Sequence, residues 1–291
     1  MRGCADAIAV VALGLTLAQA GCTLITASDL HFEDRAPPRV CGNAPGSLRK
    51  DLVVSLFSME AHRENLTVID LVRINSMDPM RRVVARAVYD PLGAPQLDIV
   101  LPCTVSGDRH EVDLFADFNN NGVYDPCPDP GNGCTDHQWR LPVQPDGTVA
   151  YRHNVDFRNI SEDPARPMGD LPLIIVWRHT ASFEQRLVEV RLRRLETLEA
   201  RETVFLYRRQ APMIPAGMEE RQTFAQTLVA GQDYEAVIWI DLNGNGTYDR
   251  PSTAVAGRDY ATAIDVLGEP PSGAQVVIDG DELLAPLDVE I

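Results

Sequence analysis

One stretch of this chain occurs twice without a gap. Residues 107–125 (GDRHEVDLFADFNNNGVYD) return as residues 231–249 (GQDYEAVIWIDLNGNGTYD), so Asp117 reappears as Asp241, 124 residues later. Upstream, residues 66–73 (LTVIDLVR) line up with residues 187–194 (LVEVRLRR), 121 residues later. The drift between the two offsets places a small insertion around Met213 to Met218. A period of this length is that of a whole folding unit, far too long for a solenoid repeat. Whatever one copy folds into, the other must fold into as well.

Each copy reads as strands. Residues 83–89, 97–101 and 111–116 in the first copy are short runs of apolar, β-branched or aromatic residues. Residues 171–177, 203–207, 236–240 and 275–278 behave alike in the second. Clusters of Pro, Gly, Asn and Asp separate them, as turns require. About seven strands per copy and no convincing long amphipathic helix predict an all-β chain of two tandem Ig-like, or similar, antiparallel β-sandwich domains. The stretch 51–69 is the one region also compatible with a helix. The expected organisation is a signal peptide over 1–21, a tether over 22–44 containing Ala36-Pro37-Pro38, domains over 45–158 and 170–291, and a linker over 159–169.

The N-terminus carries an address. Arg2 precedes an apolar run from Ala7 to Ala18, and small residues follow at Ala18-Gln19-Ala20-Gly21-Cys22. This is the layout of a secretory signal, and it is too short for a permanent membrane span. Cleavage after Ala20 is one reading. The other is that 17–22 (LAQAGC) resembles the lipobox of bacterial lipoproteins, in which Cys22 is acylated and becomes the new N-terminus. Gln19 stands where that family prefers leucine. The resemblance implies an exported protein held to the outer membrane or cell surface by its lipid.

Export gives the cysteines a meaning. With Cys4 removed and Cys22 acylated, Cys41, Cys103, Cys127 and Cys134 remain, an even set suited to an oxidising compartment. Three pairings are open. Cys127 and Cys134 enclose a short Pro/Gly loop, which makes their pairing the natural one and leaves Cys41 with Cys103. A four-cysteine zinc site would need close CxxC pairs, and none is present.

The repeated segment ends in a loop with chemistry in it. Asp117, Asn119, Asn121, the carbonyl of Val123 and Asp125 form one set; Asp241, Asn243, Asn245, the carbonyl of Thr247 and Asp249 form the other. These loops resemble the calcium loops of EF-hand and dockerin-type sites. Oxygen donors at positions one, three, five, seven and nine converge on a hard cation, and glycine at six, here Gly122 and Gly246, permits the sharp turn. Position twelve departs from the pattern, with Pro128 and Ser252 in place of glutamate. Asp136 and Asp259 follow at matching places and are the expected closing ligands. Without metal, the same residues would make ordinary Asn/Gly hairpin turns.

Other chemistries find little support. The formal charge of −16 and a single lysine, Lys50, argue against nucleic acid as a partner and against lysine chemistry. The six histidines show no HxH or HExxH spacing, and no GxSxG elbow occurs. Trp139, Trp177 and Trp239 are the candidates for a glycan platform, with Trp239 reading as core. Arg191 and Arg193 share one strand face, expected to be solvated. The whole resembles repeat lipoproteins of the myxobacterial kind. That resemblance implies a non-enzymatic envelope module with two calcium ions and a structural, adhesive or ligand-binding role. Its partners would be the membrane and an envelope protein or glycan. The alternative is a glycan-binding or glycan-cleaving accessory protein.

Overall fold

The computed structural model describes residues 49–74, 80–119, 124, 136–153, 165–195, 201–244, 259–267 and 273–281. Seven strands come from the first half: β1 Lys50–Phe57, β2 Leu66–Ile74, β3 Arg81–Asp90, β4 Leu97–Val105, β5 Arg109–Asp117, β6 Asp136–Pro142 and β7 Thr148–Arg152. Seven come from the second: β8 Leu171–Arg178, β9 Leu187–Leu195, β10 Arg201–Gln210, β11 Glu219–Leu228, β12 Asp233–Ile240, β13 Tyr260–Leu267 and β14 Ala274–Asp279. The chain is all-β, as expected. In place of a helix over 51–69 there are β1, a single 3-10 turn at Glu60–His62, and the start of β2. Alternation decides it: Leu52, Val54 and Leu56 point into the core while their neighbours do not, a period of two.

Both halves use one plan. β4-β1-β7 and β11-β8-β14 are the two three-stranded sheets. β3-β2-β5-β6 and β10-β9-β12-β13 are runs of four with matching order. In each small sheet the first strand pairs antiparallel with the fourth and parallel with the seventh. An immunoglobulin constant domain instead groups its first, second, fifth and fourth strands against its third, sixth and seventh. The sandwich is therefore of a similar but differently wired kind.

The two runs of four are not separate. β3 and β10, equivalent edge strands, pair in parallel from Arg86–Asp90 to Phe205–Arg209, making one eight-stranded sheet. Paired residues share a face, so Ala87 lies beside Leu206 and Val88 beside Tyr207. Ala87 and Leu206 belong to the first core, with Ile69, Leu71, Leu114 and Trp139. Val88 and Tyr207 belong to the second, with Val190, Ile238 and Trp177. The two cores thus lie on opposite faces of the shared sheet; the first takes Leu206 from the second half, and the second takes Leu66, Val68, Val88 and Phe115 from the first. At the seam Tyr207 donates to Asp90 at 3.2 Å, and Arg208 lies 5.8 Å from the Tyr89 ring centre. Part of the expected linker is ordered against the same strand: Arg166 and Arg82 form a parallel bridge.

Arg191 and Arg193 correct the expectation of a solvated face, being 0% and 1% exposed. β9 lies between β10 and β12 in the shared sheet, so Arg191 is flanked by Leu206 and Val237, and Arg193 by Thr203 and Glu235. Ion pairing accompanies their burial. Arg191 Nε donates to Glu189 Oε1 at 2.7 Å, and Arg193 lies 3.8 Å from Glu235 Oε2.

Candidate functional site

The two repeated loops leave and re-enter the shared sheet through neighbouring strands. Asp117 ends β5 and Asp136 begins β6, and the two are direct cross-strand partners, both 0% exposed. In the second half Ile240 pairs with Tyr260, which puts Asp241 and Asp259 at the next antiparallel position. They too are buried, at 2% and 3% exposure. The closing aspartates inferred from spacing therefore stand across from the first-position aspartates in both copies.

Each pair is held in place by hydrogen bonds. Phe118 N donates to Asp136 Oδ1 at 3.0 Å, and Trp239 Nε1 donates to Asp259 Oδ2 at 3.1 Å. Gly244 N donates to Asp241 Oδ1 at 2.7 Å, and φ is +73° at Gly244, the left-handed turn a glycine tolerates. Asn119 and Asn243 follow as exposed residues at the loop entrances. Tyr124 packs on Phe115, with ring centres 5.6 Å apart. Asn121, Val123, Asp125, Asn245, Thr247 and Asp249 lie outside the described residues, as do Cys22, Cys41, Cys127 and Cys134. Two carboxylates side by side and out of water repel each other, and a divalent cation between them would offset that cost. Oxygen-only donors at this position suit calcium.

Beside the first loop is a cluster that spacing in the sequence does not reveal. His62 from the 3-10 turn, His137 from β6 and His153 after β7 each bring a ring nitrogen within 4.8 Å of the others. The Nε2 atoms of His62 and His153 are 2.9 Å apart, one donating to the other. Trp139 packs edge-on against His62, with centres 5.3 Å apart, and Phe118 against His137 at 4.7 Å. Burial, reinforced by the neighbouring imidazoles, pushes the His62 pKa down to about 4, and burial lowers His137 as well. The signal available in the sequence was the repeat itself, since the matching residues of the second half are not histidines.

The second half has a different polar group nearby. His179 Nδ1 lies 2.9 Å from Asp279 and 3.3 Å from Asp281, and the hydrogen bond with Asp279 raises the His179 pKa. On the opposite face of the first half, Arg86, Asp70, Asp113 and Arg140 form a continuous row across β3, β2, β5 and β6. Arg86 grips Asp70 through two hydrogen bonds of 2.6 and 2.8 Å, and Arg81 and Arg140 both donate to Asp113. Asp70 and Asp113 are direct cross-strand partners, and the arginines on either side offset the repulsion between them. A groove of about 430 Å³ runs over this face beside Phe115, Tyr124 and Phe224.

All three tryptophans are buried, at 1% exposure or less. None of them offers a ring for stacking on a sugar. Among the described residues, no helix is long and apolar enough to cross a membrane. No protein-family model matches the chain, and no curated protein does. One solved structure that it resembles weakly is described as a "putative cell adhesion protein" from Parabacteroides distasonis. The two share 9% identity with a TM-score of 0.20, over 84% of this chain and 92% of that one, a likeness too slight to carry over a role.

Proposed function

We propose that this chain is a non-enzymatic component of the bacterial cell envelope, exported, lipid-anchored through Cys22, and stiffened by one calcium ion in each half. Its role is structural, adhesive or ligand-binding. The observation that carries the calcium reading is the buried cross-strand pair of carboxylates at the mouth of each loop, Asp117 with Asp136 and Asp241 with Asp259. Placing the closing ligand on the next strand explains how a loop without a glutamate at position twelve completes its coordination. The ion would then clamp two neighbouring strands. The burial of the tryptophans favours this reading over a glycan platform.

The disulfides belong to the same reading. Cys103, half-buried on β4, is disulfide-bonded, and the choice of Cys41 as its partner rests on the sequence. A Cys127–Cys134 bridge would shorten the path between the first loop and Asp136.

Calorimetric titration of the chelator-treated protein tests the calcium sites. Two equivalents should bind, with Asp117→Ala and Asp241→Ala each removing one. At ten times Kd, each site should stabilise the fold by about 1.4 kcal/mol, visible as a rise of a few degrees in Tm. Magnesium should substitute poorly, because it demands tighter octahedral geometry. No uptake at millimolar calcium would leave two plain hairpin loops. The address is tested separately: Cys22→Ser should move the protein from the membrane fraction to the soluble one, and unchanged fractionation would refute the anchor.

A further inference from the structure

We propose that the first half holds a site for a divalent transition metal of the zinc class, with His62, His137 and His153 as its three protein ligands. Three elements far apart in sequence deliver these side chains to one point, at the end of the first core where the 3-10 turn, β6 and the exit of β7 meet. Tetrahedral zinc with bonds near 2.0–2.1 Å needs nitrogens about 3.3 Å from one another. The 2.9 Å between His62 and His153 has to open by only a few tenths of an ångström. His62 Nδ1 is buried and makes no hydrogen bond among the described residues.

The duplication supplies an internal control. Both turns repeat the same backbone hydrogen bonds, His62 N to Met59 O in the first half and Phe183 N to Thr180 O in the second, so Phe183 occupies the place of His62. His137 pairs with Ala116 as Tyr260 pairs with Ile240. His153 N donates to Phe57 O as Gly280 N donates to Arg178 O. The fold thus accepts Phe, Tyr and Gly at these three positions. Nothing in the shared architecture asks for a histidine at any of them, yet the first half has one at all three, with their nitrogens together. A packing role accounts for one such change and leaves the convergence of three unexplained.

The donor set selects the metal. Imidazoles suit zinc, copper, nickel and iron, whereas calcium and magnesium take oxygen. Three histidines leave the fourth position of a tetrahedral ion for water or an external donor. His137 and His153 are only half-buried, so the cluster reaches the surface. The site is distinct from the first calcium loop. Successive residues of a strand point to opposite faces, so His137 lies on the core side of β6 and Asp136 on the other.

The experiment uses the full mature chain, stripped with chelator and then kept in excess calcium so that oxygen sites are filled. Zinc alone is titrated by calorimetry, and cobalt(II) is bound in parallel to read coordination from its visible spectrum. One equivalent of zinc should bind, and the cobalt form should show the intense bands of a tetrahedral site. His137→Tyr and His153→Gly take the residues of the second half. Since loss of an outer-sphere partner alone costs 10–100-fold in affinity, each should weaken zinc by roughly 100-fold or more, with circular dichroism unchanged. His179→Ala, in the other His/Asp cluster, should bind zinc like the parent. An octahedral cobalt spectrum, no uptake at roughly 0.1 mM zinc, or parent-like affinity in a folded His137 or His153 variant would each overturn the proposal.

Discussion

Leu206→Ala should lower the stability of the whole chain by about 2–5 kcal/mol while its melting remains a single transition. Leu206 belongs by sequence to β10 in the second half, yet it is fully buried in the core of the first half beside Ala87. Removing it opens a cavity at the seam where β3 and β10 share hydrogen bonds. If the halves were independent beads, the substitution would soften the first alone and split the melt in two. A continuous sheet instead couples them, because loosening one side of the seam strips partners from the other. Scanning calorimetry decides between the two, and well-separated transitions in the variant would contradict the coupling.

The second large effect concerns a pair of glycines. Gly147 precedes β7 with φ +92°, and Gly273 precedes β14 with φ +74°. A Cβ on Gly147 would sit 2.2 Å from the carbonyl oxygen of Asp51, and one on Gly273 would sit 2.0 Å from that of Pro172. Those oxygens lie on β1 and β8, the central strands of the small sheets. Alanine at either place would combine left-handed strain of about 1–2 kcal/mol with displacement of the seventh strand from the first. The expected loss is about 3 kcal/mol or more per site, read as a fall in denaturant midpoint. Gly231→Ala is the control, since φ there is +73° with nothing within 4 Å of the added carbon. It should cost only the strain. Equal losses at Gly147 and Gly231 would mean that the close approach is not made.

The strands and their duplication were legible because short apolar runs between Pro, Gly and Asn clusters mark strands and turns. The opposition of Asp117 to Asp136 was half legible. Matched aspartates suggested shared sites, and β pairing then converts their positions into direct neighbours. Strand order was not legible, because the same alternation serves any sandwich wiring. Nor was the fate of Arg191 and Arg193. A charged strand face reads as wet at an edge, whereas inside an eight-stranded sheet its flanks are taken by other side chains. His62, His137 and His153 look scattered for a different reason: 75 residues separate the first two, and only the closing of β6 and β7 around the 3-10 turn brings them together. Subtracting one copy from the other would have flagged all three.

Pairing equivalent edges in parallel, with the cores on opposite faces, amounts to a half-turn of one half onto the other about an axis running along the strands, with a shift of one residue. It resembles the joining of two copies of one subunit, here drawn within a single chain. A true homodimer must place every substitution in both subunits at once, so a new site always appears twice. Joined in one chain, the partners keep the shared sheet but are free to diverge. One half can keep phenylalanine, tyrosine and glycine where packing wants them, while the other gathers three imidazoles.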